Sequence, residues 1–171
     1  ANPFGRISPT TAEHVANYFP DAISMVLDGG PCRSGIESTI IGFDGEDPVV
    51  YRLGSLALDE IEAKVGKVQL RNQKDVAPDA PGMLSRHYSP KTPTVLCDDI
   101  ASEIGNRSEE KIGVIVLQHK IESESLTQKV LSPQGDLKEA AKELYATMHE
   151  LDQAGLDLIL IERMPETGLG V

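Results

Sequence analysis

The chain has 171 residues, of which 40% are hydrophobic and 4% aromatic, and it contains no Trp. This length suits one medium domain or two small ones, with a core built from Val, Ile, Leu and Ala. The formal net charge of −11 argues against sequence-independent binding to nucleic acid, which needs Lys and Arg against phosphates, although a local basic patch is still allowed.

Membrane, secretion and metal signals are weak throughout the sequence. No apolar run approaches the ~20 residues of a membrane span, and the first residues do not resemble a signal peptide. Cys32 and Cys97 are far apart and form no CxxC motif, so neither a disulfide framework nor a zinc site is predicted. We expect both thiols to be buried, in a cytoplasmic protein.

The first part of the chain mixes helices and strands. The stretch "SPTTAEHVANYF" predicts a helix with Ser8 as N-cap, Pro9 at the first helical position, and Thr10 with Glu13 as a capping box. "AISMVLDGG" then reads as a strand entering a glycine turn. "STIIGF" and "VVYRL" predict a β-hairpin. A short amphipathic helix over Leu58 to Val65 and a strand at "KVQL" complete this part.

After a proline-rich loop the pattern changes to alternating strands and helices. "TPTVLC", "KIGVIVL", "LTQKVLS" and "LDLILIE" predict strands, "IASEIGN" a short helix, and the stretch from Leu137 to Leu151 a long amphipathic helix. Strands that are apolar on both faces indicate a mostly parallel sheet covered by helices. The predicted fold class is therefore α/β, with a mixed α+β unit followed by a small Rossmann-like unit.

Three features of the first unit could carry chemistry. The glycine-rich turn Asp28 to Thr39 leads into hydroxyl residues at the mouth of a strand, where a phosphate or carboxylate could be held. Arg52, near a strand end, offers a permanently charged fork for a phosphate. Ser8 precedes a helix N-terminus that could bind an anion. Each also has a plain structural interpretation: a simple turn, a salt bridge and a helix cap.

The loop "APGMLSRHYSP", Ala80 to Pro90, sets His87 between Arg86 and Tyr88. Two prolines and a glycine exclude regular structure, and loops held on a scaffold carry binding groups disproportionately. The other histidines, His14, His119 and His149, have no metal-ligand spacing to one another, so each is expected to be a surface or hydrogen-bonded structural residue.

Taken in order, "ANPFGRISPT", "LDGGPCRSGIESTII", "YRLG" and "APGMLSRHYSP" resemble the long-form, two-domain threonylcarbamoyl-AMP synthases of the YrdC-like family. The resemblance covers nearly the whole chain and implies three parts. Residues 1–72 would be the second half of the YrdC-like catalytic domain, 73–93 an interdomain linker or lid, and 94–171 a Rossmann-like domain that we expect to be truncated at its end. Both ends of the chain are expected to be cut.

The resemblance implies an enzyme that converts ATP, L-threonine and bicarbonate to threonylcarbamoyl-AMP and pyrophosphate, for tRNA modification. Because the N-terminal half of the family's catalytic domain is missing, the chain alone is expected to be inactive. Mg²⁺ is expected with ATP, but no protein ligand for it is identifiable. The partners would be these small molecules and the downstream tRNA-modification machinery, without a membrane and without direct nucleic-acid binding by this segment.

Roles for single residues follow from the resemblance alone. The catalytic residues would be Arg52, His87 and Tyr88, with the last two in a lid over the reactants. Ser38 would hold threonine. The residues against ATP would be Ala1, Asn2, Ser8 and Arg52.

Two details depart from the family pattern. Leu53 replaces the proline usual after the arginine, and Leu84 and Ser85 stand where some relatives have Lys-Tyr. Two other classes of function stay open: an RNA-binding module, and a regulatory or small-molecule-sensing domain formed by the second unit, in which we find no catalytic constellation.

Overall fold

The computed structural model describes residues 2–71, 88–105, 107, 109–123 and 125–170. Its first unit contains helix α1 (Ala12–Tyr18), the strands β1 (Ile40–Asp44) and β2 (Asp47–Arg52), helix α2 (Leu58–Val65) and strand β3 (Gln69–Leu70). β1 and β2 form the predicted antiparallel hairpin, and β3 pairs parallel to β2 after the α2 crossover. The predicted hairpin, helix and third strand of this unit are therefore confirmed.

Two predictions for the first unit are wrong. Helix α1 begins at Ala12, and its N-cap is Thr11, whose side chain accepts a hydrogen bond from the His14 N–H, because Ser8 is occupied elsewhere. The segment predicted as a strand before the glycine turn has no strand pairing among the described residues, and it leaves Met25 and Leu27 76% and 88% exposed. An apolar segment becomes a strand only where a neighbour accepts its backbone hydrogen bonds.

The second unit is a four-stranded parallel sheet in the order β4-β7-β5-β6. Its elements are β4 (Thr94–Cys97), α3 (Ile100–Gly105), β5 (Ile112–Val116), β6 (Thr127–Val130), α4 (Leu137–Asp152) and β7 (Leu158–Glu162), followed by a 3-10 turn at Gly168–Gly170. Every residue of β5 is buried, as expected of a central parallel strand. The predicted α/β class, with a parallel sheet, is confirmed.

Helix α4 joins the two units through one hydrophobic core. Asp136 caps its N-terminus, since the carboxylate accepts from the backbone N–H groups of Lys138 at 2.7 Å and Glu139 at 3.3 Å. Ile7 of the first unit is fully buried in the same cluster as Leu151 of α4 and residues of β5 and β7. The N-terminal segment is therefore packed into the core of the second unit.

Polar contacts fix the same junction. Arg6 pairs with Asp152 at 3.1 Å, and the ring of His149 hydrogen-bonds the Ser8 carbonyl oxygen at 3.1 Å. His149 also stacks on His14, with ring centroids 3.8 Å apart. His14 and His149 are thus structural residues, as expected, and His119 is exposed.

Among the described residues, no helix is long and apolar enough to cross a membrane.

We expect Gly35→Ala to loosen the junction between the units. Gly35 has a φ of 74°, and a Cβ there would lie 2.0 Å from the backbone oxygen of Lys142 in α4. Gly45→Ala is the matched control, because Gly45 has a φ of 64° but open space around it. Strain alone costs about 1–2 kcal/mol, and overpacking adds about 1–3 kcal/mol. Urea unfolding of both variants checks this, and equal losses of stability would contradict it.

Stability should fall in mild acid because of the histidine pair. Burial is the main cause that lowers the pKa of both His14 and His149. The unfolded chain therefore takes up protons at a higher pH, so stability is complete above the ordinary histidine pKa and is lost as the pH falls. Urea unfolding between about pH 5 and pH 8 should show a shallower pH slope for His14→Gln. His119→Gln, an exposed control, should keep the wild-type slope.

Candidate functional site

A polar cleft of about 300 Å³ lies between the two units. One wall comes from the N-terminal segment, a second from the glycine-rich turn, and a third from helix α4. Its lining residues are Asn2, Ser8, Pro9, Thr10, Cys32, Gly35, Ile36, Glu37, Ser38 and Tyr145. Cys32 is exposed here, so its predicted burial is wrong, whereas Cys97 is buried as expected.

Arg52 joins two other predicted site residues, Ser38 and Tyr88, at the edge of this cleft. From the end of β2 its guanidinium donates to the Ser38 carbonyl oxygen at 3.0 Å and to the Ser38 hydroxyl at 3.1 Å. A third N–H donates to the Tyr88 hydroxyl at 3.2 Å. Segments far apart in sequence are therefore brought to one fixed, positively charged fork.

Glu37, for which the sequence pattern predicts no role, connects Arg52 to Ser8. The Ser8 hydroxyl donates a hydrogen bond to the Glu37 carboxylate. The other carboxylate oxygen lies 3.7 Å from the Arg52 guanidinium. Ser8 is therefore a cleft residue and not a helix cap. The only sequence signal for Glu37 was its place beside Ser38 in the glycine-rich stretch.

Close backbone packing fixes the position of Ser38. A Cβ on Gly54 would lie 2.4 Å from the Glu37 carbonyl oxygen and 2.5 Å from the Ser38 carbonyl carbon, so only glycine fits there. The next residue, Ser55, donates its N–H to the Glu37 oxygen at 2.8 Å. The segment that directly follows Arg52 therefore packs against the loop whose Ser38 the arginine binds.

Tyr88 has an unusual backbone conformation. Among the described non-glycine residues it alone has a positive φ, 55°, which costs energy and persists only where the surroundings impose it. Its ring lies 5.8 Å from the ring of Tyr145. Burial, and next the Glu37 carboxylate, raise the pKa of Tyr88, while Arg52 opposes them. The Tyr88 hydroxyl therefore stays protonated near neutral pH.

Three further residues were predicted for the site, namely Asn2, Ala1 and His87. Asn2 lines the cleft, but its side-chain nitrogen donates to the Arg6 carbonyl oxygen at 2.7 Å. Ala1 and His87 lie outside the described residues. Tyr145 of α4 lines the cleft too, so the second unit, in which the sequence shows no catalytic constellation, contributes a side chain to its wall.

The cleft does not offer a ready metal site. No group of three or more His, Cys, Asp or Glu side chains that could hold a metal ion occurs in the described parts of the chain. Glu37, the acidic residue in the cleft lining, is already bound by Ser8 and faces Arg52. These residues do not fit a Mg²⁺ site made of protein ligands.

Two family models match the chain. The model described as "Threonylcarbamoyl-AMP synthase, C-terminal domain" matches residues 56–171, and the one described as "Telomere recombination" matches residues 1–54. Curated proteins named threonylcarbamoyl-AMP synthase are 35% identical in Pyrococcus abyssi, 31% in Bacillus subtilis and 33% in Schizosaccharomyces pombe. Each alignment includes the whole chain but only 53%, 52% and 48% of those proteins, respectively.

Solved structures agree with this similarity. The crystal structure of P. abyssi Sua5 complexed with L-threonine is 33% identical, with a TM-score of 0.82 over 99% of this chain and 52% of that one. A variant of P. abyssi Sua5 with an adjacent histidine and tyrosine changed to alanine is 31% identical. Its TM-score is 0.78 over 99% of this chain and 52% of that one. The chain spans about half the length of these relatives. Since the C-terminal-domain model alone matches more than half of it, the chain belongs to the Sua5/YrdC family of threonylcarbamoyl-AMP synthases.

Proposed function

We propose that the full-length protein makes threonylcarbamoyl-AMP and pyrophosphate from ATP, L-threonine and bicarbonate, and so supplies tRNA threonylcarbamoyladenosine synthesis. The observation that carries this proposal is the cluster in which Arg52 binds both Ser38 and Tyr88 beside one cleft. The shared name of relatives from three organisms and the threonine complex of one of them support it.

The same proposal divides the chain as the long form of the family would be divided. Residues 1–72 belong to the catalytic domain, 73–93 form the linker and lid, and 94–171 form the C-terminal domain. The family-model boundary after residue 54 and the two separate sheets support a two-part organisation. A role in tRNA modification places the protein in the cytoplasm, with the downstream modification machinery as partner.

In the proposed reaction the threonine amine combines with carbon dioxide or bicarbonate to give a carbamate. A carbamate oxygen then attacks the α-phosphorus of ATP, and the bond from that phosphorus to the bridging oxygen breaks to release pyrophosphate. Such catalysis rests on positioning two anions and on stabilising the charge that develops. Mg²⁺ would enter with ATP on phosphate oxygens and water, and the steps proposed for this chain do not involve it.

Arg52 and the hydroxyl residues divide the binding tasks. The Arg52 guanidinium meets the phosphates, and Ser8 and Asn2, with Ala1 before them, lie against the nucleotide. Ser38 holds threonine: its hydroxyl accepts from Arg52, so its own hydrogen is left for the substrate. This arrangement sets the two substrates on either side of one guanidinium.

Tyr88 and His87 form a lid over the reactants. Tyr88 is anchored on Arg52, and its strained backbone supports a functional constraint at this position. His87-Tyr88 is the single His-Tyr pair of the sequence, and an adjacent histidine and tyrosine were changed together in the P. abyssi Sua5 variant. A lid here would limit water access to a hydrolysable anhydride.

Arg52→Ala should abolish most of the activity of the full-length protein. Pyrophosphate release from ATP should require both L-threonine and bicarbonate, and kcat should fall about 10²–10³-fold, as when a preorganised charge donor is removed. Arg52→Lys should rescue it only in part, because one ammonium cannot reproduce the planar fork that contacts Ser38 and Tyr88.

Arg71→Ala is the control for Arg52→Ala. Arg71 follows β3 and pairs with the exposed carboxylate of Asp44, away from the cleft, so its loss should leave the rate unchanged. Release of pyrophosphate that ignores threonine or bicarbonate, or an Arg52→Ala variant as active as Arg71→Ala, would overturn the proposed function.

Tyr88→Phe should have a smaller effect than Arg52→Ala. It removes the hydroxyl that accepts from Arg52 but keeps the ring beside Tyr145. Loss of one hydrogen bond to a charged group costs about 1.5–3 kcal/mol, so kcat/KM should fall about 10- to 100-fold. Steady-state kinetics on Tyr88→Phe and Tyr88→Ala check this. A Phe variant with wild-type kcat/KM would show that the hydroxyl has no part in the lid.

A further inference from the structure

Tyr145 is a buried polar residue of the C-terminal unit that faces the cleft. It lies in the middle of α4, is 9% exposed, and lines the same cleft as Ser8. Its ring packs in the hydrophobic cluster that holds the two units together. The proposed reaction assigns no role to this side chain.

The hydroxyl of Tyr145 has no hydrogen-bond partner among the residues that the structure describes. The hydroxyl oxygen is not among the described side-chain atoms that are shielded from solvent without a partner, so it opens onto the cleft that Tyr145 lines. Burial is the first cause that raises the pKa of Tyr145, and the Glu37 carboxylate is the next. The hydroxyl therefore keeps its proton and can donate it to a ligand in the cleft.

The surroundings of Tyr145 indicate which ligand supplies that acceptor. The glycine-rich wall touches α4 directly, since Gly35 packs on the backbone of Lys142, less than one helical turn before Tyr145. Ile36 packs against the same cluster as Tyr145. The next residues along this wall, Glu37 and Ser38, line the same cleft as Tyr145.

The charges at this position favour an anionic acceptor. Arg52 and the hydroxyls of Ser38 and Tyr145 supply donors, while Glu37 offers a carboxylate that suits an ammonium or hydroxyl group. A zwitterionic α-amino acid matches both signs of charge within one small cleft. A neutral ligand would offer the Tyr145 hydroxyl no charged acceptor.

We propose that Tyr145 donates its phenolic hydrogen to a carboxylate oxygen of the L-threonine substrate and is thus a substrate-binding residue contributed by the C-terminal unit. The inference rests on the proposed function, because it takes threonine bound beside Ser38 as given. It makes the second unit part of the binding site and not only a support for it.

Tyr145→Phe in the full-length protein tests this directly, because it removes one oxygen and keeps the packing. Binding of L-threonine, measured by calorimetry, should weaken about tenfold or more, as expected for a hydrogen bond to a charged group. Binding of ATP and the melting temperature should not change. The matched control is Tyr51→Phe, since Tyr51 neighbours Arg52 on β2 and points to the opposite face of the strand.

L-Threoninamide, which lacks the carboxylate charge, distinguishes loss of a direct contact with the carboxylate from a structural disturbance of the cleft. Wild-type protein should prefer L-threonine over L-threoninamide, and in Tyr145→Phe this preference should shrink. A merely structural loss would weaken both ligands equally and would overturn the inference.

Different results would overturn the role of Tyr145 and the proposed function. Unchanged threonine binding by Tyr145→Phe, while the wild type makes product, overturns the role of Tyr145 and leaves the proposed function intact. Weaker ATP binding with unchanged threonine binding overturns the choice of ligand. A wild-type protein whose pyrophosphate release does not depend on threonine overturns the proposed function, and the inference with it.

Discussion

The contact of helix α4 with the N-terminal segment is the constraint on which the rest of this structure depends. Ile7 is fully buried against the core of the second unit, and on either side of it Arg6 pairs with Asp152 and Ser8 bonds to His149. Ser8 thereby reaches the cleft with its carbonyl oxygen held on one side and its hydroxyl free to bind Glu37 on the other. The packing of the core thus decides the geometry of the site.

Two glycines extend this constraint from the core to the chemistry. Gly35 allows the glycine-rich wall to touch the backbone of α4, and Gly54 allows the end of the β2 segment to touch that wall from the other side. Larger residues at either point would separate the backbones that carry Ser38 and Arg52. Contacts of this kind bring Ser38 within hydrogen-bonding distance of the Arg52 guanidinium.

The sequence predicted those elements whose pattern is decided locally. The periodicity of α2, α4 and the buried strands was sufficient, because each of them buries its apolar face in a regular way. The helix cap was misplaced because the Ser8 hydroxyl has a partner, Glu37, that lies 29 positions away. The strand before the glycine turn failed because no described segment pairs with it.

Some residues of the candidate site could likewise be predicted from the sequence, and others could not. Arg52, Ser38, Tyr88 and Ser8 were found through ordered motifs, and the structure gathers them around one cleft. Tyr145 could not be found that way, since in the sequence it is one more position of an amphipathic helix. Only the docking of the two units turns that helical face into a wall of the cleft.

The overall charge of −11 repels anions, yet the proposed function requires the cleft to bind them. The surroundings of Arg52 explain how both can hold. Arg52 is mostly shielded from solvent, with a side chain 12% exposed, so its field is weakened less by water and salt than that of a surface residue. Glu37 stands 3.7 Å away, which is longer than the 2.7–2.9 Å typical of a charge-assisted hydrogen bond. The contact between these two side chains is therefore loose, so Glu37 competes only weakly with an arriving anion for the guanidinium. Acidity elsewhere on the surface then repels nucleic acid in general while the cleft stays locally receptive.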